Sequence, residues 1–524
     1  MNSSSTSLEA SVSGSVSGSV FGRLPEPGPT SVSELLDRDR VSERTEIGPS
    51  VLRRVFIESF GCQMNDYDVE RIVEVLRRAG FEQTDSAESA DFIIVNTCSV
   101  REKAENKAAS AAGRYRLLKE RNPNLVVAIG GCVAQQEGEA LLARIPSADL
   151  TFGPDQIPSL AKHYAALRPV VRPLDRVQTE SFSPAVPKAG RYRLRLAQTE
   201  VIDIEDYQFL DAEPRPSDVR VTALVTIQKG CDNHCAYCIV PKTRGKEVSR
   251  PAPQVVKEVE RFVALGAKEV TLIGQNVNAY HAIGTDDGED FAELLSRVDR
   301  VPGLLRLRFT TSHPHYFTRK VAECFSSLRT LQPWLHLPVQ AGSSRVLQRM
   351  EREYTREAYL EKIACLRSVC PDISLSTDII VGYPGETEED FADTMSLLSI
   401  VEYDSIYSFA YSKRPGTPAS GVSDDVSSDE KSRRLSAVLA LQKEITAKRL
   451  QRFVGKTEEV LLEGRSRASD DQLCGRTGGN HTVNVRLPDG EDPERFIGKV
   501  LPVRITEAKV HTLNGSLVLP AASR

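Results

Sequence analysis

The chain has 524 residues, 40% of them hydrophobic and 27% charged, with a formal net charge of −5. Such a length suggests about three domains of ordinary globular composition, and no segment approaches the roughly 20 apolar residues that a membrane crossing needs. The slight acidity excludes a globally basic nucleic-acid binder, so any polyanionic partner has to meet a local basic surface. Ten cysteines are too few for a disulfide-built scaffold of this size; their grouping points to metal-bound thiolates in a reducing compartment, the cytoplasm.

Residues 1–50 are rich in Ser and Gly, carry Glu9, Glu34, Asp37 and Asp39, and have neither a basic nor an apolar targeting region. They read as a flexible tail. Over 53–165 a strand–loop–helix unit repeats: Val55–Phe60, Asp91–Val95 and Leu125–Ile129 are apolar runs, each followed by a helical pattern. Alternation of this kind predicts an α/β domain whose parallel sheet is covered on both faces. Cys62, Cys98 and Cys132 each fall just past the carboxyl end of a strand, the edge at which open α/β sheets bind ligands. Three thiols at one structural phase, in loops holding Gly, Asn and Thr, suit a [4Fe-4S] cluster with one open iron better than three core cysteines. Residues 166–216 form an irregular linker in which Arg191 to Arg195 is the stretch able to add an edge strand.

Over 217–453 strands and helices alternate again. The strands are Val221–Ile227, Val270–Ile273, Leu304–Thr310, Trp334–Val339, Ser374–Val381 and Ser405–Ala410, which predicts a partial (βα)6 barrel where a full one has eight units. The first strand runs into Gly230-Cys-Asp-Asn-His-Cys-Ala-Tyr-Cys238. Thiolates of Cys231, Cys235 and Cys238 can hold three corners of a cubane [4Fe-4S] cluster and leave the fourth iron open to a small molecule. A zinc site or a purely structural cluster are the plainer readings. Zinc prefers four closed ligands, however, and His234 stands beside Cys235, where joint ligation would be strained. Lys242, Arg244, Lys246 and Arg250 follow the loop and could meet substrate phosphate, although a charge run is usually a solvated face. His313 and His315 read as structural, and Cys324, Cys365, Cys370 and Cys474 as small hydrophobes. A basic helix over about Asp429 to Leu450 leads into 454–520. There Val460–Leu462, Thr482–Arg486, Leu501–Ile505 and Leu517-Val518, parted by turns, predict a small antiparallel β-barrel of an RNA-binding kind.

The order of these three parts resembles the methylthiotransferase family of radical SAM enzymes from about Val55 to Leu519, with an OB-like TRAM module at the end. The motifs Asn96-Thr-Cys-Ser-Val-Arg-Glu-Lys-Ala104, Gly230 to Pro251, His336-Leu-Pro-Val-Gln-Ala-Gly-Ser343 and Thr377-Asp-Ile-Ile-Val-Gly-Tyr-Pro-Gly-Glu-Thr387 are similar to its tRNA-modifying branch. Gly-Cys-Asp-Asn-His departs from the commoner loop forms without touching a thiol. The resemblance implies two [4Fe-4S] clusters, and S-adenosyl-L-methionine both as methyl donor and as source of a 5′-deoxyadenosyl radical. It implies that Tyr237, Gly274, Gln275, Asn276, Gln340 and Asp378 contact that cofactor. The reaction implied is insertion of a methylthio group at carbon-2 of N(6)-isopentenyladenosine beside a tRNA anticodon. An electron donor such as flavodoxin or ferredoxin and a monomeric state come with it. The alternatives are the same chemistry on threonylcarbamoyladenosine or a ribosomal-protein aspartate, or a non-catalytic iron–sulfur RNA-binding or electron-transfer protein.

Overall fold

A computed structural model describes residues 52–61, 63–98, 102–167, 194–202, 206–210, 220–281, 289–466, 469, 472–488 and 490–518. The Ser/Gly-rich start, Cys62 and most of the linker lie outside them.

The first domain is a six-stranded parallel sheet in the order β2-β1-β3-β4-β5-β6, with β1 at Arg53–Phe60, β2 at Phe81–Gln83, β3 at Phe92–Thr97, β4 at Val126–Gly131, β5 at Leu150–Phe152 and β6 at Leu196–Gln198. Along β3, Phe92 and Ile94 enter one apolar core with Ile72, Leu76 and Tyr164, whereas Ile93 and Val95 enter another with Val127 and Tyr115. A strand buried on both faces reads as a continuous apolar run, as this one does. The linker adds its edge strand at β6, a few residues beyond Arg191 to Arg195, where Leu196 and its neighbours pair with β5. Helices α1 (Gln63–Arg78), α2 (Glu102–Arg121) and α3 (Cys132–Glu137) follow β1, β3 and β4.

Six parallel strands form the second part: β7 (Thr222–Thr226), β10 (Glu269–Ile273) and β11 (Arg306–Phe309) in one sheet, β12 (Trp334–His336), β13 (Ser374–Val381) and β14 (Ser405–Ala410) in the other. A bridge between Leu307 and Leu331 joins the two arcs into an open barrel. A short hairpin, β8 (Gln228–Lys229) with β9 (Val248–Ser249), closes the base of the Cys231 loop. Its helices bury apolar stripes such as Val255, Val259 and Phe262 in the barrel's main core.

The last part is a closed barrel, β15-β16-β17-β19-β18, built from Thr457–Arg465, Gln472–Thr477, Thr482–Arg486, Val500–Ala508 and Leu513–Leu517. One junction, β17 with β19, is parallel, so the predicted antiparallel barrel is in fact mixed. Five strands in a ring cannot all alternate in direction, and one parallel pair is the least that closure demands. Arg306 and Arg308 fasten this barrel to the previous one. Arg306 donates to the carbonyls of Arg476 (2.7 Å) and Glu459 (2.9 Å), Arg308 to those of Gly478 (2.8 Å) and Thr477 (2.9 Å). Arg308 also faces Glu269 at 3.0 Å, both side chains nearly inaccessible. Among the described residues no helix is long and apolar enough to cross a membrane.

Candidate functional site

Sheet register explains how distant cysteines meet. Phe60 lies level with Thr97, and Thr97 with Gly131, so the ends of β1, β3 and β4 stand side by side. Cys98 and Cys132 are the next residues, and both are buried. Gly131 makes the turn possible: its φ is 92°, and a β-carbon there would strike the Thr97 carbonyl oxygen. Gly230 plays the same part before Cys231, with φ 76° and its back against the Lys246 carbonyl. Only glycine takes both demands without strain.

The cysteine edge of the first domain and the segment that follows the Cys231 loop share one hollow. A chamber of about 580 Å³ is lined by Cys98 and Cys132 from the first domain and by Thr243 and Arg244 just past the Cys231 loop. Barrel residues Gly274, Gln275 and Asp378 complete its middle, and Glu463, Arg476 and Asn480 of the last domain its far end. One wall is aromatic. Trp334 lies nearly parallel to His336 (15°, centroids 6.5 Å apart), and Tyr407 meets His336 edge-on at 5.8 Å. The His336 Nε2 stands 3.5 Å from Asp378 Oδ1.

Within the loop every sulfur meets a donor. Asn233 Nδ2 lies 3.4 Å from Cys231 Sγ, Arg352 Nη1 3.3 Å from Cys235 Sγ, and the Val240 N–H 3.5 Å from Cys238 Sγ. Burial pushes the Cys231 thiol up to about 11 and the Cys238 thiol up to about 12. Thiols holding protons so firmly are poor free nucleophiles, and a bound cationic metal is what displaces such protons. Among the described residues no three Cys, His, Asp or Glu side chains converge on one point as a single metal ion requires, so the fit is judged by donor chemistry. Three thiols with N–H donors aimed at their sulfurs suit an iron–sulfur group, whose sulfurs accept such bonds.

Beside the loop, the Gln275 side-chain oxygen accepts from the Gly230 N–H (2.6 Å), and the Gln275 and Asn276 N–H groups both donate to Gln228 Oε1 (2.9 Å). Gln275 Nε2 and both polar ends of the Asn276 amide are buried without a well-formed bond among the described residues. Buried amides are normally satisfied, so this pair fits the polar end of a cofactor held at the loop. A β-carbon on Gly274 would crowd Gln228. Gln340 adopts a left-handed φ of 73° and bridges to β13 through Asp378 and Ile380. Tyr237 is half-buried, its hydroxyl 3.4 Å from Arg352.

The basic group divides. Lys242 and Lys246 are exposed, but Arg250 is wholly buried and paired with Glu258, and Arg244 is buried against Asp68. Neither Arg244 nor Arg250 is placed to meet phosphate at the surface, because a buried carboxylate, Asp68 or Glu258, engages each guanidinium. His313 exchanges bonds with the Asn278 amide (2.8 and 2.9 Å), as a structural residue does, yet its Nε2 lies 3.9 Å from Cys235 Sγ. Burial, with Arg352 adding to it, drives its pKa down to about 2 and keeps the ring neutral. Cys324 belongs to the barrel core and Cys365 and Cys370 pack against it. Sequence reasoning missed Arg352, Asp68 and Asp155, the last paired with Lys229 at 2.6 Å: nothing local marks residues whose partners lie 117, 176 and 74 positions away.

Three family profiles match: Uncharacterized protein family UPF0004 over 54–153, the Radical SAM superfamily over 225–398 and the TRAM domain over 451–518. The tRNA-2-methylthio-N(6)-dimethylallyladenosine synthases of Burkholderia multivorans, Burkholderia lata and Burkholderia mallei are each 44% identical over 472 residues, covering 89% of this chain and 97% of theirs. The chain belongs to this synthase family. Among solved structures, the radical S-adenosylmethionine methyltransferase TsrM from Kitasatospora setae overlaps 71% of this chain and 77% of its own, with 16% identity and a TM-score of 0.49. The cobalamin-dependent radical enzyme OxsB overlaps 75% and 56%, with 12% identity and a TM-score of 0.44. All three matched parts border the chamber described above.

Proposed function

We propose that the chain is a radical SAM methylthiotransferase that places a methylthio group on carbon-2 of N(6)-isopentenyladenosine next to the anticodon of tRNA. The observation that supports the chemistry is the shared chamber, lined by Cys98 and Cys132 of one domain and by Gly274, Gln275 and Asp378 of another. The substrate follows from the activity named for relatives 44% identical along nearly their whole length. An aromatic C–H has no acidic proton, so general-base catalysis is useless here and the hard step belongs to a cofactor. When bound, two iron–sulfur groups and S-adenosylmethionine would supply the electron, the hydrogen-abstracting radical, the methyl group and, at the auxiliary group, the sulfur that carries it.

The chain's residues bind, orient and shield. Cys231, Cys235 and Cys238 hold the cofactor-binding cluster; Cys62, Cys98 and Cys132 hold the auxiliary one. Tyr237, Gly274, Gln275, Asn276, Gln340 and Asp378 surround S-adenosylmethionine. Trp334 and Tyr407 offer aromatic faces on which an unstacked loop base rests, as single-stranded RNA bases commonly do. Lys242 and Lys246 meet phosphate outside the mouth, and the TRAM barrel grips the stem-loop. A cytoplasmic setting, a flavodoxin or ferredoxin as electron donor and a monomeric state belong to the same proposal.

Arg352 is expected to matter through Cys235. Removing a partner that tunes a metal ligand costs about 10- to 100-fold, so Arg352→Gln lowers 5′-deoxyadenosine formation by that factor, measured by chromatography under reducing, anaerobic conditions. A wild-type rate would leave Arg352 a packing residue. The substrate is tested by mass spectrometry of tRNA nucleosides from a strain lacking the gene. N(6)-isopentenyladenosine accumulates and its 2-methylthio form vanishes; loss of methylthiolated threonylcarbamoyladenosine instead would overturn the assignment.

A further inference from the structure

We infer that Arg352 is a built-in counter-ion: its buried guanidinium, which no carboxylate neutralises, lies on Cys235, offsets the negative charge of the cofactor-binding cluster and raises that cluster's reduction potential. This rests on the reading of Cys231, Cys235 and Cys238 as the ligands of that cluster.

Arg352 stands in the turn between the helices Ser344–Arg349 and Arg356–Val369 and is 5% exposed. Burying a cation is costly unless an anion meets it, and several deep arginines of this chain obey that rule. Arg250 faces Glu258, Arg244 faces Asp68, Arg308 faces Glu269 and Arg434 faces Glu386. Arg306, without such a partner among the described residues, gives both terminal nitrogens to carbonyls of the last domain.

Arg352 does neither. Among the described residues no carboxylate pairs with it: its Nε donates to the Tyr354 hydroxyl (2.9 Å) and its Nη2 to the Pro338 carbonyl (3.1 Å). The other terminal nitrogen, Nη1, lies 3.3 Å from Cys235 Sγ and 3.4 Å from the Tyr237 hydroxyl. The adjacent Glu351 and Glu353 are exposed, and Glu353 faces His315 at 3.7 Å instead. His313 adds a second donor to the same sulfur. Its Nδ1 accepts from the His315 N–H (3.2 Å), which leaves the ring proton on Nε2, 3.9 Å from Cys235 Sγ. That ring is neutral, so the charge at Cys235 comes from Arg352.

A cubane core bound by three thiolates is a net anion, and the electron it accepts adds a further negative charge. A guanidinium stays positive at any working pH. Fixed positive charge in a poorly polarisable interior favours the more negative, reduced form. The cluster in turn brings the anion that Arg352 otherwise lacks.

The test uses full-length protein with Cys62, Cys98 and Cys132 replaced by Ala, reconstituted anaerobically so that the cofactor-binding cluster alone is read. Iron content and the midpoint potential, from electron paramagnetic resonance of samples poised at stepped potentials, are the readouts. Arg352→Met should keep its iron, about four per chain, while its midpoint falls by at least about 59 mV, a tenfold change in a one-electron equilibrium. Arg352→Gln, which keeps an N–H for Cys235 but no charge, should fall with it. An unchanged midpoint in Arg352→Met overturns the inference, and so does a parental midpoint in Arg352→Gln, which would make the donor and not the charge responsible. If Arg352→Met takes up no iron, Arg352→Gln decides alone by the same criterion. If neither takes up iron, calorimetry of the unloaded chains decides. A cation without its anion is a burden, so both variants should then melt no lower than their unloaded parent; lower melting makes Arg352 a packing residue and overturns the inference. Absence of iron from the parent background would instead sink the reading of the Cys231 loop before Arg352 is touched.

Discussion

Replacing Cys132 with alanine is expected to end methylthio insertion while S-adenosylmethionine cleavage to 5′-deoxyadenosine continues near the wild-type rate. Cys132 opens α3 at the end of β4, in a lobe separate from the strand that carries the Cys231 loop. Hydrogen bonds tie that loop to Arg352, Gln275, Tyr316 and the Met350 carbonyl, residues of the barrel and not of the Cys132 lobe. The substitution costs about 1 kcal/mol of stability, the ordinary value for a single change, so the protein stays folded. The triple replacement of Cys231, Cys235 and Cys238 should behave oppositely and abolish both products. Quantifying 5′-deoxyadenosine and the 2-methylthio nucleoside in the same anaerobic reaction separates the two. Wild-type amounts of methylthiolated product from Cys132→Ala would defeat the proposed division of labour.

Arg308→Ala is expected to release the last barrel from the rest. Arg308 donates to the carbonyls of Thr477 and Gly478 and faces Glu269, which is 4% exposed. Losing one partner of a buried pair costs about 3–5 kcal/mol, because the other charge is left in a poor medium. Lysine cannot reach two carbonyls and a carboxylate at once, so Arg308→Lys should rescue little. Limited proteolysis should then cut near Lys456, between the helix Ser428–Gln451 and β15, and calorimetry should resolve an earlier transition. The Michaelis constant for tRNA should rise while cofactor cleavage without RNA is unaffected. Wild-type melting and protease resistance would show that this seam rests on other contacts.

The strands of the first domain were legible because burial on two faces writes apolar runs, as in Phe92–Val95 and Val126–Ile129. The cysteines were legible because they keep one phase relative to those strands. β16 was missed: Gln472–Thr477 interrupts its apolar alternation with Cys474 and Gly475, and its place is set by neighbours on both sides. Arg244 and Arg250 look like surface charge in a basic run. The burial of Arg244 depends on Asp68, 176 positions away, and that of Arg250 on Glu258, a carboxylate turned inward beside the apolar stripe of its helix. Long-range ion pairs leave no spacing to read, and both the domain seam and the Arg352 contact are of that kind.

The twin ties at Lys229 and Arg244 bolt the two lobes together on either flank of one loop. Halves so fastened cannot take turns by opening and shutting. Any ordering of methyl delivery and hydrogen removal has to be kept by traffic: spent small molecules depart, fresh ones arrive, and the RNA base waits its turn in the same corridor.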